Sequence, residues 1–414
     1  MHEPTSRRSF LKHSVFGAAV LAATSGAQAD DPPKIQGFEE DQPNTKPSKK
    51  WTPVSDRKIR MGIVGYGVCK FGAQFSLQHH PNVDVVAVSD LFPDRCRALA
   101  EACKCEQTYP SLEEMVKDDS IEAIFVATDA PSHCRHAIDV LKHGKHVASA
   151  VPAVFGSLEE ADQLFEAVKS SGLIYMMFET SYFHSDVHAM RVIYKAGGFG
   201  TLVYSEGEYY HYDVAGIPSF KNWRLCLPPQ WYPTHSNAYY VGVTGGSFTE
   251  VSCMGMPSIL KRLQPQNNVY KNPFGTEIAL LRTSEGGMSR MAVSWDTAGY
   301  GGEIGRVRGQ RGSMDGMKFE GLDTELPDLD KPPLPPGVTP GGHGGSHGNL
   351  GHEFIMSILE NRTPSVDITQ SLNMTVAGIV AHQSALKDGQ MMKIPQYTWG
   401  YDDSDAARQL RNAP

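Results

Sequence analysis

The chain has 414 residues, of which 40% are hydrophobic and 20% charged, a composition typical of a globular protein. The formal net charge of −8 at pH 7 argues against a nucleic acid as partner. The 7 cysteines are few and odd in number, and no pair has C-x-x-C spacing, so we expect buried thiols without a disulfide framework.

The N-terminal residues indicate an export signal. Residues 6–12 read SRRSFLK, an apolar stretch follows at 15–23, and residues 27–29 offer a small-residue cleavage site. Residues 30–56 lack hydrophobic periodicity and are typical of a linker. We therefore expect a periplasmic protein, exported by the twin-arginine machinery, that is not integral to the membrane.

Residues 58–90 predict the first half of a dinucleotide-binding unit: a strand, a glycine turn, a helix and a second strand. Gly65 and Gly67, followed by Val68, lie at the turn, where a backbone without Cβ atoms can approach a pyrophosphate. Asp90 lies 25 residues after Gly65, the distance at which a carboxylate accepts hydrogen bonds from a ribose hydroxyl. Because this charge would repel a 2′-phosphate, Asp90 favours NAD over NADP as the cofactor.

One glycine of the usual G-x-G-x-x-G pattern is missing from this turn. The third position is Lys70, and we expect Gly72 to make the close helix–strand contact instead. The space outside the cytoplasmic membrane should hold no useful NAD pool. An exported protein of this kind is therefore expected to keep its cofactor tightly bound and to recycle it.

The rest of the chain predicts an α/β protein in two parts. Strands and helices alternate up to residue 178, which indicates a doubly wound parallel sheet, the Rossmann fold. Ligands of such sheets bind beyond the carboxyl ends of the strands, so we expect Thr128, His133 and Pro152 on the cofactor side. From residue 185 the pattern indicates an α+β part with a large, predominantly antiparallel sheet. Its predicted elements are strands at 202–210, 277–283 and 287–295, a mainly helical stretch at 249–263, a loop at 327–348 and helices at 349–360 and 368–387.

These patterns define the predicted domain organisation. We expect a signal peptide at 1–29, a linker at 30–56, a Rossmann domain at 57–180, a C-terminal α+β domain at 181–397 and a tail at 398–414. The large sheet of the C-terminal domain is expected to support a homo-oligomer.

Four motifs resemble the glucose–fructose oxidoreductase / inositol dehydrogenase (Gfo/Idh/MocA) family of NAD(P)-dependent sugar-active proteins. They are GYG at 65–67, ATDAPSH at 127–133, GKHV at 144–147 and AHQSAL at 381–386. The resemblance covers about residues 60–397 and implies NAD as cofactor and a small sugar or glycoside as substrate. Dehydrogenases of this family carry a Glu-Lys-Pro triplet whose lysine assists hydride transfer. The matching residues here are Ala150, Val151 and Pro152, so that lysine is missing.

A branch of the family, the NAD-dependent α-N-acetylgalactosaminidases, is more similar. These glycosidases also lack the lysine, and they carry Tyr-Pro-Thr-His, which stands here at residues 232–235. Their Met-Met-x-Glu segment resembles residues 176–179. The likeness implies that Tyr232, His235 and Tyr182 are catalytic, with proton transfer by Tyr232 favoured if neighbours lower its pKa towards neutrality. Ala150 stands where the branch has a carboxylate.

Three functions follow as hypotheses. The first is a redox-neutral reaction on a sugar through transient oxidation by tightly bound NAD, giving glycoside cleavage, elimination or epimerisation. The second is an ordinary NAD-dependent sugar or polyol dehydrogenase in which Tyr232 or His235 replaces the lysine. The third is a non-catalytic, NAD-containing sugar-binding protein. His343, His347 and His352 lie in a glycine-rich loop, where we expect no metal site but one histidine facing the substrate.

Overall fold

The computed structural model describes residues 50–212, 216–299, 301–322 and 325–399. The predicted signal peptide, the predicted linker up to residue 49 and the predicted tail from residue 400 onwards lie outside the described residues. In the described ranges, every helix is too short or too polar to traverse a bilayer.

The strands belong to two sheets. They are β1 (Ile59–Val64), β2 (Val83–Ser89), β3 (Thr108–Tyr109), β4 (Ala123–Val126), β5 (His146–Ser149), β6 (Tyr175–Met177), β7 (Leu202–Tyr210), β8 (Phe248–Pro257), β9 (Phe274–Thr283), β10 (Met288–Ser294), β11 (Gly302–Gly309), β12 (Gly312–Asp315), β13 (Lys318–Gly321) and β14 (Met392–Lys393).

The helices cover the first sheet and one face of the second. They are α1 (Pro93–Cys103), α2 (Leu112–Met115), α3 (His133–Lys142), α4 (Leu158–Ser171), α5 (Ser185–Lys195), α6 (Thr234–Asn237), α7 (Val241–Thr244), α8 (Gly342–Gly345), α9 (His347–Leu359) and α10 (Ile368–Ala385).

The first sheet confirms the predicted Rossmann-type fold. Its order is β3-β2-β1-β4-β5-β6, and all neighbours are parallel. The strands are short apolar runs because helices cover both faces of the sheet. All four residues of β4 are buried. The order reverses at β1 and β4, and this switch point is where such sheets bind ligands.

The helix predicted directly after the glycine turn is wrong. The chain instead forms two 3₁₀ turns, at Phe71–Ala73 and Leu77–His79. Lys70 has a φ of 50° and Ser76 a φ of 55°, and an α-helix cannot continue through residues in this left-handed region. Binding of an anion at this turn therefore depends on the loop backbone and side chains.

The second sheet has the order β13-β12-β11-β7-β10-β9-β8-β14 and confirms the predicted, mostly antiparallel sheet. The β7–β10 pair is parallel. The helical prediction for 249–263 is wrong, because β8 occupies most of it and pairs with β9 and β14. This pairing overrides a local sequence with little strand character. The predicted loop at 327–348 is also partly wrong, since α8 and the start of α9 lie within it.

A buried carboxylate anchors the segment that precedes the Tyr-Pro-Thr-His motif. Glu277 on β9 accepts hydrogen bonds from the backbone N–H of Gln230 (2.8 Å) and pairs with Nδ1 of His382 on α10 (2.7 Å). The Gln230 side chain donates to backbone carbonyls of β9 and β10. This network joins the sheet, α10 and residues 229–231, and so positions Tyr232.

Gly72 takes the role of the missing third glycine. A Cβ at Gly72 would lie 2.5 Å from the carbonyl oxygen of Gly65, whereas a Cβ at Gly67 would meet no atom within 4 Å. We therefore expect Gly72→Ala to lower the free energy of unfolding by about 1–3 kcal/mol, while Gly67→Ala leaves it nearly unchanged. Urea denaturation measures both, and equal stability of the two variants would contradict the assignment.

A contact between a buried and a half-buried histidine predicts how stability depends on pH. Nε2 of His80 lies 3.0 Å from Nδ1 of His352, and this contact joins the turn after β1 to α9. Burial and the second imidazole lower the pKa of His80 to about 3. An unfolded histidine has a pKa of about 6.5, so below that pH the unfolded chain binds a proton that the folded chain does not.

The free energy of unfolding should therefore decrease as the pH falls from about 6.5 towards 4. Urea denaturation at several pH values measures this slope. His80→Asn should reduce the slope, and the same substitution at the exposed neighbour His79 should not. A slope of the same size in both variants would show that other groups govern the acid sensitivity.

Candidate active site

A cavity of about 260 Å³ lies at the carboxyl ends of β1, β2 and β4. The glycine turn forms one wall, and residues 218–224 of the second part of the chain contribute the opposite one. Predicted cofactor residues on its surface are Gly65, Gly67, Val68, Asp90 and Thr128. Its position is the one at which a doubly wound sheet binds nucleotides.

The glycines shape the floor of this larger cavity. Gly65 has a φ of 102°, and a Cβ there would lie 2.3 Å from the carbonyl oxygen of Ala127. Only glycine therefore fits at the end of β1, against the backbone that follows β4. The open space at Gly67 leaves room for a ligand against the backbone.

Asp90 is held rigidly at the end of β2. Its carboxylate accepts hydrogen bonds from the backbone N–H of Tyr66 (2.7 Å) and of Phe92 (2.9 Å). Both oxygens retain lone pairs that can accept from a ribose hydroxyl. The carboxylate is thus pre-oriented for the role predicted from its distance to Gly65.

Charge complements the shape of the larger cavity. Phosphate groups require donors with positive charge or free N–H groups. The cationic side chains on the cavity surface outnumber the acidic ones. The cations are Lys70, Arg95, Arg135, Lys221 and Arg224, and the acids are Asp90, Glu113 and Asp129. The glycine turn, the Asp90 carboxylate as ribose acceptor and the excess of cations together suit a dinucleotide.

His133 and Pro152 lie behind the wall of the larger cavity. The buried His133 ring has Nδ1 2.9 Å from the carbonyl oxygen of Pro152 and Nε2 3.2 Å from that of Thr128. It therefore ties the turn after β4 to the turn after β5. His136 lines the cavity instead, with Nδ1 2.9 Å from the Thr128 hydroxyl. Cofactor contacts of His133 and Pro152 stay a prediction that their positions do not support.

A smaller cavity of about 30 Å³ adjoins the larger one and contains the predicted catalytic pair Tyr232 and His235. Phe71 and Arg224 line both cavities. The other residues that matter for its chemistry are Ala150, Val151, Thr180, Tyr209, His211 and His343. Ala150 and Val151 offer no group that could donate or accept a proton.

His235 is buried between two carboxylates. Its Nδ1 lies 2.7 Å from Oε1 of Glu179 and 3.8 Å from Oε2 of Glu303. Burial lowers the pKa of His235, but the two carboxylates outweigh this effect and raise it to about 9. Burial raises the pKa of Glu303, and His235, His184 and His343 bring it down to about 2. Without other ligands, His235 therefore carries a proton at neutral pH.

Tyr232 also keeps its proton. Burial raises the pKa of Tyr232, and the adjacent Arg224 guanidinium opposes this effect only in part. Arg224 stacks over Trp223, 4.3 Å from the ring centroid, and its Nη2 lies 3.6 Å from the Cys69 sulfur in the glycine turn. The pKa of Tyr232 is therefore not lowered towards neutrality, which was the condition for proton transfer by this residue. Tyr232 and His235 are both proton donors before a substrate binds.

The remaining candidates are dispersed. Tyr182 is buried beneath the Arg191 guanidinium, 3.7 Å from its ring centroid, and lines neither cavity, so its catalytic role stays a prediction without geometric support. His343 lines the smaller cavity and has its Nδ1 2.8 Å from Nε2 of His347. His352 pairs with His80 instead. The three loop histidines are therefore not one cluster.

The sequence interpretation missed several residues of the site. Glu179 belongs to the segment that resembled the glycosidases but received no role, and Arg224 lies in a segment without regular structure. Glu303 is more than a hundred positions from Glu179. Only the pairing of β11 with β7 brings it close, and no local pattern signals that contact.

Known proteins that are similar to this chain support an NAD-binding fold in its first part. Residues 59–179 match the model of the GFO_IDH_MocA family, described as "Oxidoreductase family, NAD-binding Rossmann fold". The chain is 28% identical over 225 residues to "Glycosyl hydrolase family 109 protein 1" of Bacteroides fragilis, an alignment that covers 51% of this chain and 47%, or about half, of that protein. It is 23% identical to a "Glycosyl hydrolase family 109 protein" of Solibacter usitatus, over 96% of this chain and 98% of the relative.

Solved structures share the fold. A levoglucosan dehydrogenase in complex with NADH has a TM-score of 0.66 and 17% identity, with 82% of this chain and 100% of that chain covered. The apo scyllo-inositol dehydrogenase from Lactobacillus casei has a TM-score of 0.64 and 16% identity, covering 82% of this chain and 99% of that chain. At these identities the likeness shows the fold alone.

Proposed function

We propose that the chain belongs to the Gfo/Idh/MocA oxidoreductase family, whose NAD-binding fold matches residues 59–179, and that it is a redox-neutral enzyme acting on a sugar or glycoside. It would hold NAD tightly and cleave, eliminate or epimerise its substrate through transient oxidation. One observation carries this proposal. The larger cavity, which suits a nucleotide by its position and charge, shares Phe71 and Arg224 with a second cavity that is lined by Tyr232 and His235 but by no lysine.

Bound NAD would accept a hydride from a sugar carbon and return it at the end of the cycle. The chain must accept the proton of the oxidised hydroxyl, remove the acidified proton from the neighbouring carbon, and donate a proton to the leaving group. Tyr232 and His235 carry these transfers. The pKa values of Tyr232 and His235 keep both residues protonated at neutral pH. The cationic nicotinamide ring of bound NAD beside them would favour loss of both protons.

The missing lysine favours this function over an ordinary dehydrogenase. Val151 cannot accept a hydroxyl proton, and the Tyr232 phenol beside Arg224 would take this role once it has lost its own proton. The glycosyl hydrolase family 109 names of the relatives support a glycoside as substrate.

Asp90 provides the test of cofactor identity. We propose NAD rather than NADP because the fixed Asp90 carboxylate faces the cavity. Purified protein should contain about one NAD per chain and no NADP, measured by chromatography of the released nucleotide. Asp90→Ala should weaken NAD binding about tenfold or more, since hydrogen bonds to a charged group contribute about 1.5–3 kcal/mol. Asp129→Ala, at another carboxylate on the same cavity, should retain NAD. Protein purified without nucleotide would contradict tight binding.

Solvent deuterium provides the test of the reaction. In D₂O, a panel of glycosides incubated without added NAD should yield cleaved product with deuterium next to the transiently oxidised carbon. Tyr232→Phe should lower kcat at least a hundredfold, while Tyr194→Phe, outside both cavities, should not. NADH formed only with added NAD would indicate the dehydrogenase instead. Sugar binding without chemistry would indicate the non-catalytic protein, and wild-type rates for Tyr232→Phe would remove this residue from the mechanism.

We also propose a periplasmic, homo-oligomeric protein. The SRRSFLK segment at residues 6–12 supports twin-arginine export, and an exposed apolar face of the second sheet supports pairing with another copy. This face includes Val203, Met254, Leu280, Met288 and Ile304. Light scattering should give a multiple of the chain mass, and cell fractionation should find the mature protein outside the cytoplasm. A cytoplasmic monomer would contradict both proposals.

A further inference from the structure

The structure contains two buried glutamate–histidine pairs whose surroundings differ. In both Glu277–His382 and Glu179–His235, Nδ1 lies 2.7 Å from Oε1, and both glutamates are fully buried. The second carboxylate oxygen of Glu277 accepts a hydrogen bond from the Gln230 N–H, so both oxygens of this carboxylate have partners. At Glu179 the second oxygen is buried without a hydrogen-bond partner.

A second carboxylate joins only the Glu179–His235 pair. One ligand atom each from Glu179, His235 and Glu303 lies within 4.8 Å of the others. Nε2 of His184 is 3.2 Å from Oε2 of Glu303, yet it too lacks a hydrogen bond. Buried polar atoms without partners cost about 1–3 kcal/mol each, and more when charged. The protein groups alone therefore leave this cluster incomplete.

We propose that Glu179, His235 and Glu303 bind a divalent first-row transition metal ion, of the Zn²⁺ or Mn²⁺ type. Two carboxylates and a neutral imidazole balance a charge of +2, and mixed nitrogen and oxygen donors suit this class of ion. Ligand atoms at about 2.0–2.2 Å from one ion lie about 3 Å apart. The separations of 2.7 Å and 3.8 Å from Nδ1 of His235 to the two carboxylates bracket this value.

The position of the cluster gives the ion a role, and this part of the inference rests on the proposed function. His235 lines the smaller cavity beside Thr180 and Tyr232, so the ion lies at the edge of the substrate cavity. When a proton leaves the carbon next to a transient ketone, negative charge develops on the sugar oxygen. A metal ion stabilises such negative charge. The lysine of the similar dehydrogenases is not available for this purpose, because Val151 stands in its place. His235 then holds the ion, and Tyr232 remains the proton donor.

Metal content tests the site independently of activity. Full-length protein with its bound nucleotide should contain about one zinc or manganese ion per chain by inductively coupled plasma mass spectrometry. After a chelator has removed bound metal, added Mn²⁺ should bind at one saturable site. Electron paramagnetic resonance measures this binding. Glu179→Gln and Glu303→Gln should each weaken Mn²⁺ binding at least tenfold. Glu206→Gln, at a buried carboxylate on β7 that pairs with Arg290 and lines neither cavity, should leave Mn²⁺ binding unchanged.

The wild-type protein decides the outcome even if a variant fails to fold. Absence of bound metal together with no saturable binding of Mn²⁺ or Zn²⁺ overturns the site, even if the deuterium experiment shows chemistry. An equal loss of Mn²⁺ binding in folded Glu206→Gln and Glu303→Gln also overturns it. One ion per chain that is lost in Glu303→Gln supports the site, even if no glycoside reacts and the proposed function fails.

Discussion

The buried carboxylate of Glu277 is the contact on which the smaller cavity depends. It lies in the centre of the second sheet, where an uncompensated charge would be costly, and it is compensated by His382 of α10 and by the backbone of Gln230. These partners come from three separate elements of the chain. Tyr232 follows Gln230 by two residues, so the same bonds that satisfy the carboxylate also fix the turn that carries Tyr232.

Arg224 connects the two cavities in a comparable way. It is a half-buried cation that contacts the glycine turn at Cys69, stacks on Trp223 and lies near Tyr232. Its charge can therefore act on a pyrophosphate and on a phenol at once. An arrangement in which a cofactor and a proton donor share one guanidinium suits chemistry that couples hydride and proton transfer.

Ala150 and Val151, which stand where dehydrogenases of the similar family carry a Glu-Lys pair, bring no group for proton transfer to the smaller cavity. Tyr232 and His235 line the same cavity, and Glu179 and Glu303 lie beside His235, so proton donors and negative charge come from other segments of the chain. A redox-neutral reaction needs such groups for proton transfer at carbon, whereas simple alcohol oxidation needs only one base. His235 connects the proposed function with the proposed metal site, because it lines the smaller cavity and also lies beside Glu179 and Glu303.

Local patterns in the sequence determined the parallel sheet, the turn at Gly65 and Gly67, the position of Asp90, and the Tyr-Pro-Thr-His segment, because each depends on residues close in the chain. They did not determine that 3₁₀ turns follow the glycine turn or that residues 248–257 form a strand, since a left-handed Lys70 and strand pairing override local propensity. Only the tertiary structure decided which charges surround His235. Glu303 reaches His235 through pairing of β11 with β7, and a pKa depends on the neighbours that the fold supplies rather than on adjacent residues.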